Sequence, residues 1–183
     1  MKKALLLSAA LMFIASGVSA QLIGLYVDAE RTSWEATAAS GIVYVYVFAQ
    51  PNTDGMTCLE LRTEASNTNF MAFATTWAPD AAEARMGNIP DQNLVGCWTS
   101  CKFEWTWLCN AGMFMMSGDE LIISIAPYTD QPYPKILDCV DPANELPAMA
   151  CTPVCINALE PCLDPCDNAV EESTWGAIKN LYE

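Results

Sequence analysis

Residues 42 to 49 read IVYVYVFA, an unbroken succession of β-branched and aromatic side chains with one closing alanine. Ser40-Gly41 precedes the run and the turn cluster Pro51-Asn52-Thr53-Asp54-Gly55 follows it. Branched and aromatic side chains fit a pleated surface, and the flanking residues favour turns, so this stretch is committed to strand. The same punctuation recurs along the chain. Residues 22 to 28 alternate, with Ile23, Leu25 and Val27 on one face. Residues 56 to 64 set Leu59 and Leu61 against Glu60 and Arg62. Further strands are expected at 70 to 77, 94 to 98, 103 to 109, 121 to 127 and near 135 to 140. Residues 78 to 93 carry Pro79, Gly87, Asn88 and Pro90 and read as a connection with one short helical turn at 80 to 85. Many short, turn-bounded strands with little helix predict an all-β, antiparallel two-sheet sandwich. An up-and-down barrel is the alternative way to close such strands. The tyrosines and tryptophans beside the aliphatic faces are expected to fill or rim the core.

The first twenty residues, MKKALLLSAALMFIASGVSA, have the three parts of a secretory signal: Lys2-Lys3, an apolar run from Ala4 to Ile14, and small residues at Val18 and Ala20. The apolar run is too short to span a bilayer comfortably. Cleavage is expected after Ala20, leaving Gln21 first, and no later run reaches spanning length. The reading is therefore a leader over 1–20, a sandwich over 21–140, a Cys/Pro-rich extension over 141–172 and a short helix or recognition tail over 173–183. Its expected location is periplasmic, cell-surface or secreted. The full chain holds 22 acidic and 8 basic residues and no histidine, for a net charge of −14. Such a surface repels nucleic acid and anionic membranes, and it attracts cations or a basic partner.

All nine cysteines follow the leader: Cys58, Cys97, Cys101, Cys109, Cys139, Cys151, Cys155, Cys162 and Cys166. In an exported chain that density predicts disulfides, and the odd count leaves at least one thiol unpaired within the monomer. Three pairs are spaced Cys-x-x-x-Cys. Four residues of strand span roughly 13 Å, beyond disulfide reach, so each pair either sits on a turn or bonds to distant partners.

The absence of histidine removes Ser-His-Asp and Cys-His catalysis and histidine zinc ligation. Paired carboxylates remain, and Glu60, Glu64, Glu104 and Asp119 are the candidates for a hydrolase of the glycosidase type. Met113, Met115 and Met116 with Cys109 offer either soft copper ligands or core filler, of which filler is favoured. Asp138, Asp141, Asn144 and Glu145 gather oxygens without an EF-hand pattern. Trp105 and Trp107, two apart, are either a stacking platform for sugar rings or core. No cofactor is expected.

Near the C-terminus, Ser173 is a helix N-cap candidate, and Trp175, Ile178 and Tyr182 fall on one face. About ten residues cannot hold a helix alone in water, so that stripe must dock on the sandwich or on a partner, and recognition by a partner is favoured. The opening IGLYVD, the strand IVYVYVFAQPN and the closing STWGAIKNLY together resemble small exported proteins of environmental bacteria. Those have one immunoglobulin-like or cohesin-like sandwich and a short C-terminal TWGxIKxLY segment. The resemblance implies a fold and a compartment, and no activity. The expected function is thus an exported, disulfide-stabilised binding or structural module, not an enzyme, whose partner is a protein or glycan at the cell envelope. A carbohydrate-binding module using Trp105 and Trp107 is the alternative, and a carboxylate-based hydrolase the third.

Overall fold

The computed structural model describes residues 21–90, 92–140, 144–151 and 153–162. Residues 1–20, read above as a leader, lie outside them, as do Asp141, Cys166 and the expected tail with Trp175, Ile178 and Tyr182. The described residues form strands and turns and no helix. In chain order the strands are β1 (Leu22–Tyr26), β2 (Glu35–Ala36), β3 (Gly41–Gln50), β4 (Met56–Ala65), β5 (Phe70–Ala72), β6 (Thr76–Trp77) and β7 (Ala84–Met86). They continue as β8 (Asn93–Lys102), β9 (Thr106–Met115), β10 (Leu121–Ala126), β11 (Lys135–Leu137), β12 (Glu145–Pro147), β13 (Met149–Ala150) and β14 (Val154–Ile156).

Two sheets result. The first runs β13-β1-β3-β9, with β5 and β6 both paired to the outer edge of β9. The second has β4 at its centre. On one side β4 pairs with β8, which carries β7; on the other it is shared by β11 and β10, which lead outward to β12 and to β14-β2. Alternation assigns the faces: Ile23 and Leu25, Val43, Val45 and Val47, and Leu59 and Leu61 point inward and are fully or almost fully buried. Each such side chain contributes roughly 1.5–3 kcal/mol when removed from water. The two inner faces meet in one core, the arrangement of a sandwich rather than a barrel.

Several boundaries differ from the sequence reading, each for a local reason. The strand expected at 103 to 109 begins at Thr106 and runs to Met115, because Phe103 to Trp105 make the turn from β8. The helical turn expected at 80 to 85 is instead one turn at 78–81, where the Ala81 amide donates to the Ala78 carbonyl at 3.1 Å, followed by extended chain into β7, with Arg85 binding back to the carbonyls of Ala81, Ala78 and Pro79. Residues 70 to 77 split into two short edge strands. Residues 145 to 156, read as irregular from their prolines and cysteines, supply β12, β13 and β14. Pro147 is tolerated there because β12 is a short edge strand. Val154, Cys155 and Ile156 are all buried.

A bulge shapes the centre of the first sheet. Val47 pairs with Cys109 but Phe48 pairs with Trp107, so Leu108 is the extra residue. Leu108 and Cys109 are consequently both fully buried, although they are adjacent in sequence.

Candidate functional site

The outward positions of β3 are Ile42, Tyr44, Tyr46 and Phe48, the residues that alternate with the buried valines. Across the ladder Ile42 faces Phe114, Tyr44 faces Gly112 and Tyr46 faces Asn110 on β9. Beyond β9, Met71 faces Phe114, and the Phe73 amide donates to the Gly112 carbonyl at 2.8 Å. Ile42, Tyr44, Met71 and Phe73 are 49%, 48%, 54% and 44% exposed. Single exposed apolar residues are ordinary, but here they are contiguous on one sheet face, and a contiguous patch calls for an occupant. None of the outward residues of this face carries a charge. Gly112 opens a hollow of about 250 Å³ between Ile42, Tyr44, Phe73 and Thr76. A Cβ at Gly112 would stand 3.0 Å from Phe73, 3.1 Å from Ile42 and 3.4 Å from Tyr44.

The rings continue along the sheet. Tyr44 to Tyr46, Tyr46 to Phe48, Phe48 to Tyr26 and Tyr26 to Trp105 have centroids 6.4, 6.5, 5.8 and 6.2 Å apart. This chain runs from open rings at Tyr44 to covered ones at Phe48 and Tyr26. Arg31 caps it, with its guanidinium 5.0 Å from the Trp105 ring and 5.6 Å from the Phe48 ring. Arg31 takes a left-handed backbone, φ 61°. The turn that imposes it is tied by Asp28, whose carboxylate accepts from the Thr32 amide at 3.0 Å and the Ser33 amide at 2.6 Å. Partial burial works against the charged carboxylate, but the hydrogen bonds from Thr32 and Ser33 outweigh it and hold Asp28 below its ordinary range.

The described cations are all engaged within the fold. Arg62 pairs with Glu64, Lys102 with Asp80 and Lys135 with Glu145. Arg85 binds carbonyls and Arg31 covers rings. The Lys102 hydrogen bond lowers Asp80, and the Glu145 hydrogen bond raises Lys135. What faces solvent is therefore mostly acidic, while the part of the sheet face around Ile42, Tyr44, Met71 and Phe73 carries no charge and Arg31 lies at its far end over Phe48 and Trp105.

The residues singled out from sequence fall in separate places. Trp105 sits in the β8–β9 turn, partly exposed beside a hollow of about 330 Å³ lined by Arg31, Gln50, Phe103 and Glu104. Trp107 lies on β9 and packs against the core, with its indole N–H buried and unpaired. Glu60 and Glu64 stand on the outer face of β4, Glu104 in the β8–β9 turn and Asp119 in the β9–β10 turn, where it accepts from Asn69 and Ser117. Met113, Met115 and Cys109 are core, and Met116 is exposed. Asp138 is buried and accepts from Asn144 at 2.8 Å. Among the described residues no group of three or more Cys, Asp or Glu is placed to hold a metal ion. No described helix is long and apolar enough to cross a membrane.

The cysteines pair at a distance. Cys58 bonds Cys97 across β4 and β8, Cys101 bonds Cys139, and Cys155 bonds Cys162. Cys151 is also in a disulfide. Neither described Cys-x-x-x-Cys pair bonds internally; for Cys97 and Cys101, both on β8, strand rise keeps them apart. Cys109 is the free thiol of the described residues, and burial pushes its pKa far above the ordinary value. Sequence reasoning missed the apolar face itself, because tyrosine and isoleucine on the outer side of β3 look like core until the sheet partners are known.

No family model matches this chain, and no curated protein does. Solved structures do, and those with the stronger fits are cohesin modules. The second type II cohesin of a cellulosomal adaptor scaffoldin from Acetivibrio cellulolyticus aligns with a TM-score of 0.57 at 13% identity, over 78% of this chain and 99% of that one. A cohesin module of a family 33 glycoside hydrolase from Clostridium perfringens gives 0.53 at 11% identity, over 75% and 97%. The sixth cohesin of scaffoldin B from Acetivibrio cellulolyticus, solved in complex with a dockerin, gives 0.52 at 13% identity, over 75% and 98%. The fold is cohesin-like.

Proposed function

We propose that this chain is an exported, non-catalytic binding module that docks a protein partner on the outer face of β3, β9 and β5. The observation that carries the reading is the contiguous exposure of Ile42, Tyr44, Met71 and Phe73 on a face without charge. The cohesin-like fold supports a protein as the occupant, since one of the similar cohesins was solved bound to a dockerin. Charge narrows the partner. The chain has a net charge of −14 and its described cations are engaged internally, so two copies repel each other. A protein with an apolar ridge framed by lysine and arginine is attracted at long range and complementary at contact. The leader sequence and the disulfides support export. The scattered carboxylates and the absence of histidine favour binding over catalysis.

The test is site-specific photo-crosslinking in the native organism. A photoreactive residue at position 44 is expected to give one dominant protein adduct, and one at position 64, on the other sheet, none. The adduct should disappear when Ile42→Asp and Phe73→Asp are combined. It should weaken as salt approaches about 1 M, where the screening length falls to about 3 Å. An adduct that forms equally from position 64, or survives the double substitution, refutes the docking face.

A second reading has its own observation. Phe103, 62% exposed, and Trp105 flank the hollow capped by Arg31, a place where a sugar ring could stack. Retention of the protein on an insoluble polysaccharide that is lost with Trp105→Ala and unaffected by Phe73→Asp would favour it. Trp107 plays no part in that version.

A further inference from the structure

We propose that the apolar face of β3, β9 and β5 is covered, until a partner displaces it, by a segment of the same chain: the stripe Trp175, Ile178 and Tyr182. The proposal rests on the docking face argued above and supplies its regulation. Of the two courses open to that stripe it takes docking on the sandwich, and the reason is where the described chain ends. Cys162 is fixed to the β2 margin by three links. It is bonded to Cys155, the Trp34 indole N–H donates to its carbonyl at 3.0 Å, and its own amide donates to the Glu35 carboxylate at 2.5 Å. Asn157 secures the same corner. Its side chain accepts from the Ala38 amide at 2.7 Å and donates to the carbonyls of Ala38 and Asp119 at 2.8 and 3.2 Å. Ala38 leads into β3 and Asp119 follows β9, and those strands begin their pairing there with Gly41 and Met115. The next pairs are Ile42 with Phe114 and Phe114 with Met71. The chain therefore leaves the described fold at the end of the sandwich where the apolar face starts.

Reach and charge fit this occupant. Cys162 is one side chain away from Glu35, and the stretch from Glu35 to Ile42 extends at most about 25 Å. Residues 163 to 174 extend up to about 40 Å, enough to round the edge of the sandwich. A tether of that length holds the stripe at a local concentration on the order of 1 mM, so a weak contact suffices. The carboxylates Asp164, Asp167, Glu171 and Glu172 precede the stripe and Lys179 lies within it, so the stripe brings no acidic residue onto the uncharged face. A second copy, by contrast, would bring a net charge of −14 against the same charge.

The experiment uses the purified full chain with the photoreactive residue at position 44, irradiated at several protein concentrations. The expected product is an intrachain adduct of monomer mass, independent of concentration and mapped by peptide mass spectrometry to residues 173 to 183. Position 64 should give none. Deleting residues 173 to 183, which lie outside the described fold, should abolish the adduct and leave the circular dichroism spectrum unchanged, and Trp175→Asp should act in the same direction. If the stripe covers the face half of the time, the deletion should raise the yield of the partner adduct in the native organism by about twofold, because the competent fraction doubles. A folded protein that gives no intrachain adduct overturns the proposal, and a partner adduct that persists in the native organism then keeps the docking face. An adduct between two chains that grows with concentration overturns it in favour of self-association. A partner adduct that is lost on deletion makes the tail part of what the partner recognises, and one that is unchanged makes the contact irrelevant to binding; either result overturns the proposal.

Discussion

Replacing Gly112 by alanine should separate binding from stability. The added Cβ meets Phe73 Cδ2, Ile42 Cγ2 and Tyr44 Cε1 at 3.0, 3.1 and 3.4 Å, closer than comfortable contact for the first two. All three side chains are half exposed and can lean outward into solvent, so a few tenths of an ångström of movement costs little. Against that small cost, alanine in a strand interior loses less backbone entropy than glycine, by roughly 0.5–1 kcal/mol. The net change in stability should lie between zero and about +1 kcal/mol, a melting temperature unchanged or raised by about 2–4 °C. Binding should move the other way. The methyl group raises the floor of the 250 Å³ hollow, and losing an anchor at the centre of an interface typically costs about 2 kcal/mol, a weakening on the order of 30-fold. Thermal melts followed by circular dichroism give the first quantity, and the yield of the position-44 crosslink gives the second. A fall of more than about 5 °C would mean that the face is part of the packing. Undiminished crosslinking in a fully stable variant would mean that the hollow receives nothing.

The same substitution on the inner face should behave oppositely. At Gly96 a Cβ overlaps Leu108 and crowds Trp77, both packed in the interior, so Gly96→Ala should destabilise by about 1–3 kcal/mol, measured by denaturant unfolding. Cys109 should resist alkylation in the native protein and react only after unfolding, when thiol titration should find about one free thiol per chain; rapid native labelling would contradict its burial. The Asp28 turn should hold at neutral pH and loosen in acid. Its folded pKa is depressed, so its contribution is complete above the unfolded value of about 3.9 and is lost as pH falls through the lower folded value. Trp105 emission, isolated by comparison with Trp105→Phe, should therefore change below about pH 4, and Asp28→Asn should show the acid spectrum at pH 7.

How far the sequence could be read depended on which signal each segment carried. β1 and β4 were legible because apolar and other residues alternate there with period two, and Ile23, Leu25, Leu59 and Leu61 are inward as the alternation assigns; β3 was legible as a strand from its run of branched and aromatic side chains. Strand rise left each Cys-x-x-x-Cys pair either on a turn or bonded elsewhere, and the structure takes the second course for 97/101 and 151/155. The bulge at Leu108 was not legible: it depends on how β9 registers against β3, which no single strand encodes. The pairing of 145 to 156 was hidden by Pro147 and Pro153, since proline is admitted at an edge that only the assembled sheet defines. The docking face was the least legible part. Ile42, Tyr44 and Tyr46 are as apolar as the valines between them, so alternation could not say which set faced solvent.

The two parallel pairings carry a consequence for the order of events in making the protein. β1 finds one neighbour, β13, only when Met149 and Ala150 are present, and β2 finds its neighbour, β14, only when Cys155 and Ile156 are. A chain delivered through an export channel N-terminus first thus presents its first two strands long before their partners arrive. The early hairpin-like contacts of β3 with β1 and of β4 with β8 can form in passage. One margin of each sheet has to wait for the last third of the molecule. Such distant closures are slow steps, because a long loop must be ordered before the contact rewards it. On the export reading proposed above, the delay leaves the sheet margins open until the chain has crossed.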